Sequence, residues 1–139
     1  MKSVILTKYG SPDVLQVQEF DTPEPKSNQV RVKVHYAGIN FAEIMARMKL
    51  YPGGPKPGSV LGGEVSGVIE KVGSKIKDLE IGQKVIGLSL DGSYSSHVCL
   101  DSKSIIPLPE NFNLDEAAAF PVIYITAYMM IFDLGNLQE

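Results

Sequence analysis

A chain of 139 residues with 44% hydrophobic and 21% charged side chains is long enough to bury one genuine core. Thirteen Lys and Arg against sixteen Asp and Glu give a net charge of −3, and with neither sign gathered into a block, nucleic acid is not an expected partner. Cys99, the one cysteine, excludes an internal disulfide and suits a reducing, cytoplasmic compartment, and the run Val4-Ile5-Leu6 is too brief for a signal-peptide core.

The chain opens with two strand patterns, residues 3–8 and 14–20, joined by the turn residues Tyr9-Gly10-Ser11-Pro12-Asp13. Pro23 and Pro25 then hold an extended connector. From residue 29 to 36, Val30, Val32, Val34 and Tyr36 alternate with Arg31, Lys33 and His35, which predicts one dry face and one wet face with His35 on the wet one. Ala37-Gly38-Ile39 ends that run, and Asn40 with Glu43 has the spacing of a helix capping box. Phe41, Ile44, Met45 and Met48 follow as one apolar helix face.

A loop stiffened by Pro52-Gly53-Gly54-Pro55 and Pro57-Gly58 leads to a strand over 60–72, interrupted at Gly62, Gly63 and Gly67. Glycines inside a strand mark bulges or places where another backbone or a ligand comes close. A polar loop at 74–78, a turn and strand over 81–87, and strands over 94–100 and 104–108 complete a series of short strands at roughly ten-residue spacing, the signature of a partly open β-barrel.

Composition changes at Asn113. Asn113 and Glu116 repeat the capping spacing, residues 114–119 form a helix, and Pro121 forces a kink or restart. Residues 122–134 are apolar on nearly every side, so this helix is expected to be buried all round, which anticipates a second body of protein. The uncharged run 117–132 is shorter than the roughly 20 residues that span a bilayer, and Pro121 interrupts it, so membrane contact is not the favoured reading.

GINFAEIMAR at 38–47, Leu50-Tyr51 and GGEVSGVIEKVG at 62–73 resemble the GroES-like catalytic domain of the medium-chain dehydrogenase/reductase superfamily, in its zinc-free quinone oxidoreductase branch. YITAYMMIFDLGNLQ at 124–138 is similar to the vesicle amine transport protein 1 subgroup. The resemblance implies a mainly β, GroES-like partly open barrel over 1–112. It also implies a linker helix over 113–139, leading into a dinucleotide-binding Rossmann domain beyond this chain. No G-x-G-x-x-G follows a strand here, and the pairs Gly53-Gly54 and Gly62-Gly63 read as turn and bulge glycines, so the chain is expected to be the front portion of an enzyme.

Zinc members of the superfamily have a cysteine where this chain has Asn40, a His-Glu pair where it has Gly63-Glu64, and a four-cysteine lobe. One cysteine and two histidines can supply neither a catalytic nor a structural zinc in the usual way, although His97 and Cys99 share a strand face. The resemblance then implies hydride transfer from NADPH to a quinone or an enone by a homodimeric, zinc-independent enzyme, with the oxyanion stabilised by the protein.

Asn40 is the candidate for contact with the nicotinamide ribose or the substrate oxygen, Tyr51 for substrate contact, and Thr126 for the nicotinamide. Tyr124 and Tyr128 stand on the wall that carries Thr126, where helical spacing favours core positions, and Glu64 is expected to hold structure rather than act as an acid. Two other readings stay open at this point, a vesicle- or membrane-associated trafficking protein and an oligomeric binding module, with a zinc alcohol dehydrogenase weaker than either.

Overall fold

The computed structural model describes residues 1–89 and 92–137. Its axis is β3 (Gln29–Ala37), where Val30 and Val32 are fully buried while Lys33 and His35 face solvent, as alternation requires. One edge of β3 pairs with β4 (Glu64–Val72) and the other with β6 (His97–Asp101). Beyond β4 come β5 (Lys84–Leu88) and β7 (Ile105–Pro107), all antiparallel, so the sheet curls into a half-barrel in the order β6-β3-β4-β5-β7. Its concave face is filled by Val30, Val32, Val65, Ile69, Val85 and Leu100. The hairpin of β1 (Lys2–Leu6) and β2 (Leu15–Glu19) forms a separate sheet, tied on through bridges from Ser3 to Ser95 and Ile5 to Val60, with Leu6, Val14 and Leu61 as its own core. The chain is therefore mainly β, a partly open barrel with a few short helices, as the strand spacing predicts.

The strand expected from residue 60 begins only at Glu64. Gly62 sits at φ +102°, a backbone that side chains rarely adopt, and a Cβ there would lie 2.6 Å from the Tyr94 ring. Gly67 stays inside the strand and marks a close approach: a Cβ on it would be 2.1 Å from the Lys33 carbonyl oxygen. Beside it the β3–β4 register shifts between Val34 and Tyr36. That shift breaks the alternation, so Tyr36, expected on the dry face, is 50% exposed like its neighbour His35.

The proline connector is strapped across β3. Arg31 donates to the Pro23 carbonyl at 3.2 Å, to Glu24 at 3.0 Å and to Glu70 at 2.8 Å, and Lys71 pairs with Glu24.

Three α-helices complete the described residues, besides two 3-10 turns at Pro12–Val14 and Ser102–Ser104. In α1 (Phe41–Arg47) only Ala46 is buried, and Phe41, Ile44 and Met48 are exposed, contrary to the burial that their spacing predicts. The strands close their own core, so α1 lies against the body through Ala46 and turns its apolar face outward. Asn113 precedes α2 (Leu114–Ala118) without a side-chain cap, its carbonyl alone receiving the Ala117 N–H at 3.0 Å. Pro121 restarts the chain as α3 (Pro121–Tyr128), which runs on into a π-helical segment, Met129–Leu134. This apolar stretch is uncovered among the described residues, with Tyr124 60% and Leu134 78% exposed, and the last two positions of the expected linker lie outside the described residues. No helix of the described residues is long and apolar enough to cross a membrane.

Candidate functional site

Glu64 opens β4 with its backbone in the ladder and its side chain 1% exposed. A buried carboxylate is tolerable only when hydrogen bonds replace its water. One oxygen accepts from the Asn40 amide nitrogen at 2.8 Å, and the other accepts from the Val122 backbone N–H at 2.8 Å. The second bond has a local cause: Phe120, at the N-cap of α3, offers no side-chain oxygen and Pro121 has no N–H, so Val122 carries the first donor of the helix. Glu64 caps that end from 58 residues away. Gly38 makes room for the joint, because a Cβ there would lie 2.2 Å from the Glu64 carboxylate and 2.6 Å from the Ala118 carbonyl.

Asn40 is held on three sides. Its backbone N–H donates to the Glu43 carboxylate at 2.7 Å, its backbone carbonyl accepts from the Glu43 N–H at 3.2 Å, and its amide nitrogen donates to Glu64 at 2.8 Å. The expected N-cap residue is thus also the one tied to Glu64, and the second hydrogen of its amide has no partner among the described residues. The Glu64 side chain holds the loop and α3, as the sequence suggests.

Tyr51 is 48% exposed in the turn after α1 and borders a small cavity of ≈ 110 Å³ with Glu43, Ala46 and Leu61. Thr126 lies on the exposed surface of α3, one turn beyond Val122. Tyr124 stacks on Phe120 with ring centroids 4.4 Å apart, and Tyr128 meets Phe132 at 4.8 Å, so these tyrosines cover other aromatics of the helix rather than a core. The joint therefore brings Asn40 and the start of α3 together, while Tyr51 stands on a different loop.

His97 and Cys99 do share a face of β6, each with other partners. The Ser96 hydroxyl lies 3.0 Å from His97 Nδ1, Glu70 lies 3.7 Å from Nε2, and the Cys99 thiol donates to the Pro23 carbonyl at 3.6 Å. Burial pushes the Cys99 thiol above its ordinary pKa, partly opposed by Arg31. Among the described residues no group of three or more His, Cys, Asp and Glu is placed to hold a metal ion.

Sequence reasoning missed Ser93 and Tyr94. Among the described residues, both hydroxyls are buried without a hydrogen-bond partner, and nothing in a Gly-Ser-Tyr string announces that. Burial, and then the carboxylates of Glu43 and Glu64, hold the Tyr94 phenol above its usual pKa and keep it neutral. An orphaned hydroxyl is a cost, so Tyr94→Phe is expected to stabilise the chain by about 1 kcal/mol, roughly 2–4 °C in Tm by calorimetry. Ser93 and Tyr94 also line an open groove of ≈ 570 Å³ between the hairpin and the end of β3, which contains none of Asn40, Tyr51 or Thr126.

The curled sheet, the capped turn after β3 and the helix leaving the barrel define a GroES-like catalytic domain of the medium-chain dehydrogenase/reductase type. The chain belongs to the alcohol dehydrogenase GroES-like domain family, whose model matches residues 26–110. It is 43% identical over 138 residues to the synaptic vesicle membrane protein VAT-1 homolog of Danio rerio, covering 99% of this chain and 28% of that protein. The crystal structure of the human VAT-1 homolog-like protein superimposes with a TM-score of 0.95 at 32% identity, over 100% of this chain and 45% of that one. Escherichia coli quinone oxidoreductase complexed with NADPH gives 0.88 at 33% identity, over 94% and 40%. The chain thus spans less than half the length of each of these relatives.

Proposed function

We propose that the whole protein is a zinc-independent oxidoreductase that reduces a quinone or an enone with NADPH, and that this chain supplies one wall of its cleft. On this reading residues 1–112 are the catalytic domain and 113–139 lead into a dinucleotide-binding domain. The observation that carries it is the Glu64 joint, which fixes a polar amide, Asn40, against the amino end of an exposed apolar helix bearing Thr126. The NADPH-bound likeness of the Escherichia coli enzyme supports the choice of cofactor.

The residues present fit one end of that cofactor. An apolar helix surface bearing a hydroxyl, joined at its amino end through Glu64 to an amide, suits a nicotinamide and its ribose. The positive-φ glycines of the described chain lie in turns, bends and loops and at Gly62 before β4, and none opens an α-helix as a phosphate cradle does. NADPH, when bound, supplies the hydride. Asn40 and Thr126 would hold the nicotinamide end, Tyr51 would offer its phenol to the substrate, and the apolar face of α3 would exclude water so that such hydrogen bonds count for more.

Asn40→Ala in the full-length protein is expected to lower kcat/KM for NADPH-dependent quinone reduction about tenfold to a hundredfold, the effect of one hydrogen bond to a charged or developing-charge group. Steady-state kinetics with metal analysis of the same preparation checks this. Unchanged kcat/KM, or turnover that tracks bound zinc, would remove the reading. Vesicle binding by the full protein with no NADPH oxidation would instead favour a vesicle-associated role, the sense of the Danio rerio relative's name.

A further inference from the structure

The loop that carries Tyr51, residues 48–59, is fastened at both ends to the β1–β2 hairpin. At its start Gly10 meets Arg47 twice, its N–H donating to the Arg47 carbonyl at 3.0 Å and its carbonyl accepting from the Arg47 guanidinium. At its far end the Gly58 N–H donates to the Leu6 carbonyl at 2.8 Å, and the Leu6 N–H donates to Ser59 at 2.9 Å. Between these anchors, among the described residues, one hydrogen bond ties residues 51–57 to the chain outside the loop: the Tyr9 hydroxyl donates to the Pro55 carbonyl at 3.3 Å.

Tyr9 touches both limbs of the loop. Its ring packs on the small core of Leu6, Val14 and Leu61 and carries the Lys49 ammonium 5.4 Å from the ring centre, while its hydroxyl reaches Pro55. Lys49 stands at φ +62°, the left-handed backbone that turns the chain out of α1, and attraction of its charge to the ring helps to hold a side chain there. Pro55 on the other limb lines the same ≈ 110 Å³ cavity as Tyr51.

We propose that Tyr9 is a positioning residue: through Lys49 and Pro55 it holds the Tyr51 loop against the barrel, and so sets how tightly that loop engages the substrate. The inference rests on the reductase reading, with the substrate contact given there to Tyr51, and deepens it. Pro55 and Pro57 stiffen the far limb, and Gly53 at φ +69° and Gly58 at φ +95° supply the turns at its two ends. A stiff segment between two such turns moves as one piece. The Gly54 N–H bonds the Tyr51 carbonyl at 3.1 Å, so a displacement of this piece is passed on to Tyr51.

Tyr9→Phe separates the two parts of the side chain, keeping the ring on its core and under Lys49 while removing the hydroxyl. The full-length protein and its Y9F variant are compared by thermal melting, amide hydrogen exchange, NADPH titration and steady-state kinetics with a quinone. Y9F is expected to melt close to wild type. Gly54 and Gly58, which flank Pro55, should exchange about two- to tenfold faster, the equilibrium counterpart of one net hydrogen bond. KM for the quinone should rise by a similar factor at unchanged kcat and unchanged NADPH Kd, the pattern of lost uniform substrate binding.

Exchange at Gly54 and Gly58 that matches wild type would overturn the hold on the loop, and a large fall in melting temperature would show that the hydroxyl serves the whole fold instead. Faster exchange with an unchanged KM, or lost kcat in place of a raised KM, would overturn the positioning role. Wild-type protein that turns over no quinone or enone would sink the reductase reading and the substrate half of the inference with it, while the exchange series still decides whether Tyr9 holds the loop.

Discussion

Gly67→Ala is expected to lower the stability of the chain by at least about 3 kcal/mol, a large share of the roughly 5–15 kcal/mol of an ordinary domain. Gly67 lies in the middle of β4, paired with Val34, and the added methyl would be placed 2.1 Å from the Lys33 carbonyl oxygen and 3.0 Å from Val32 Cγ1. The obstacle is backbone, which cannot rotate aside as a side-chain tip does. Relief requires prising β3 from β4, and that separation also opens the core around Val30, Val32 and Val65. Urea unfolding followed by far-UV circular dichroism would show a midpoint shift at unchanged slope if the structure survives. Gly82→Ala is the control: it meets no atom within 4 Å and pays only for its φ of +90°, so its loss should be clearly smaller. Equal losses at the two sites would mean that the close approach of β3 and β4 is not the constraint.

Glu64→Ala is the second large expectation, about 3 kcal/mol. Two effects oppose each other here. Removing a carboxylate that is 1% exposed relieves its desolvation, but the Asn40 amide and the Val122 N–H then remain inside without an acceptor, each at about 1–3 kcal/mol, beside the space left by the side chain. Orphaned donors prevail because Pro121 and Phe120 provide no alternative cap for α3. Hydrogen exchange localises the effect: protection at Val122 and through the first turn of α3 should collapse while the strands keep theirs. Uniform loss of protection throughout the sheet would show that Glu64 serves the barrel as a whole and not the joint.

Local pattern carried much of this architecture. Val30, Val32 and their charged alternates define β3 from sequence, the Asn40–Glu43 spacing predicts the capped start of α1, and Pro121 predicts the break between α2 and α3. These features depend on residues within a turn or a strand of one another, where backbone sterics and hydrogen-bond geometry are set by neighbours in the chain. Where a strand pattern failed, a distant partner was responsible. Tyr36 leaves the dry face because β4 imposes a register shift, and the strand expected from residue 60 waits until Glu64 because the Tyr94 ring occupies the space beside Gly62.

The site divides along the same line. The family resemblance offers Asn40, Tyr51 and Thr126 as candidates, and the expectation that Glu64 holds structure agrees with its two hydrogen bonds. The apolar pattern also led to the expectation of a second body over α3, whose apolar surface stands exposed among the described residues. Only the tertiary structure decides that Glu64 reaches 24 residues back to Asn40 and 58 forward to Val122, that Gly38 must lack a side chain between them, and that the hydroxyls of Ser93 and Tyr94 are buried unpaired. The reason is physical: a side chain's hydrogen-bonding options are written in its chemistry, but which donor meets which acceptor depends on how the strands curl and where the helices leave them.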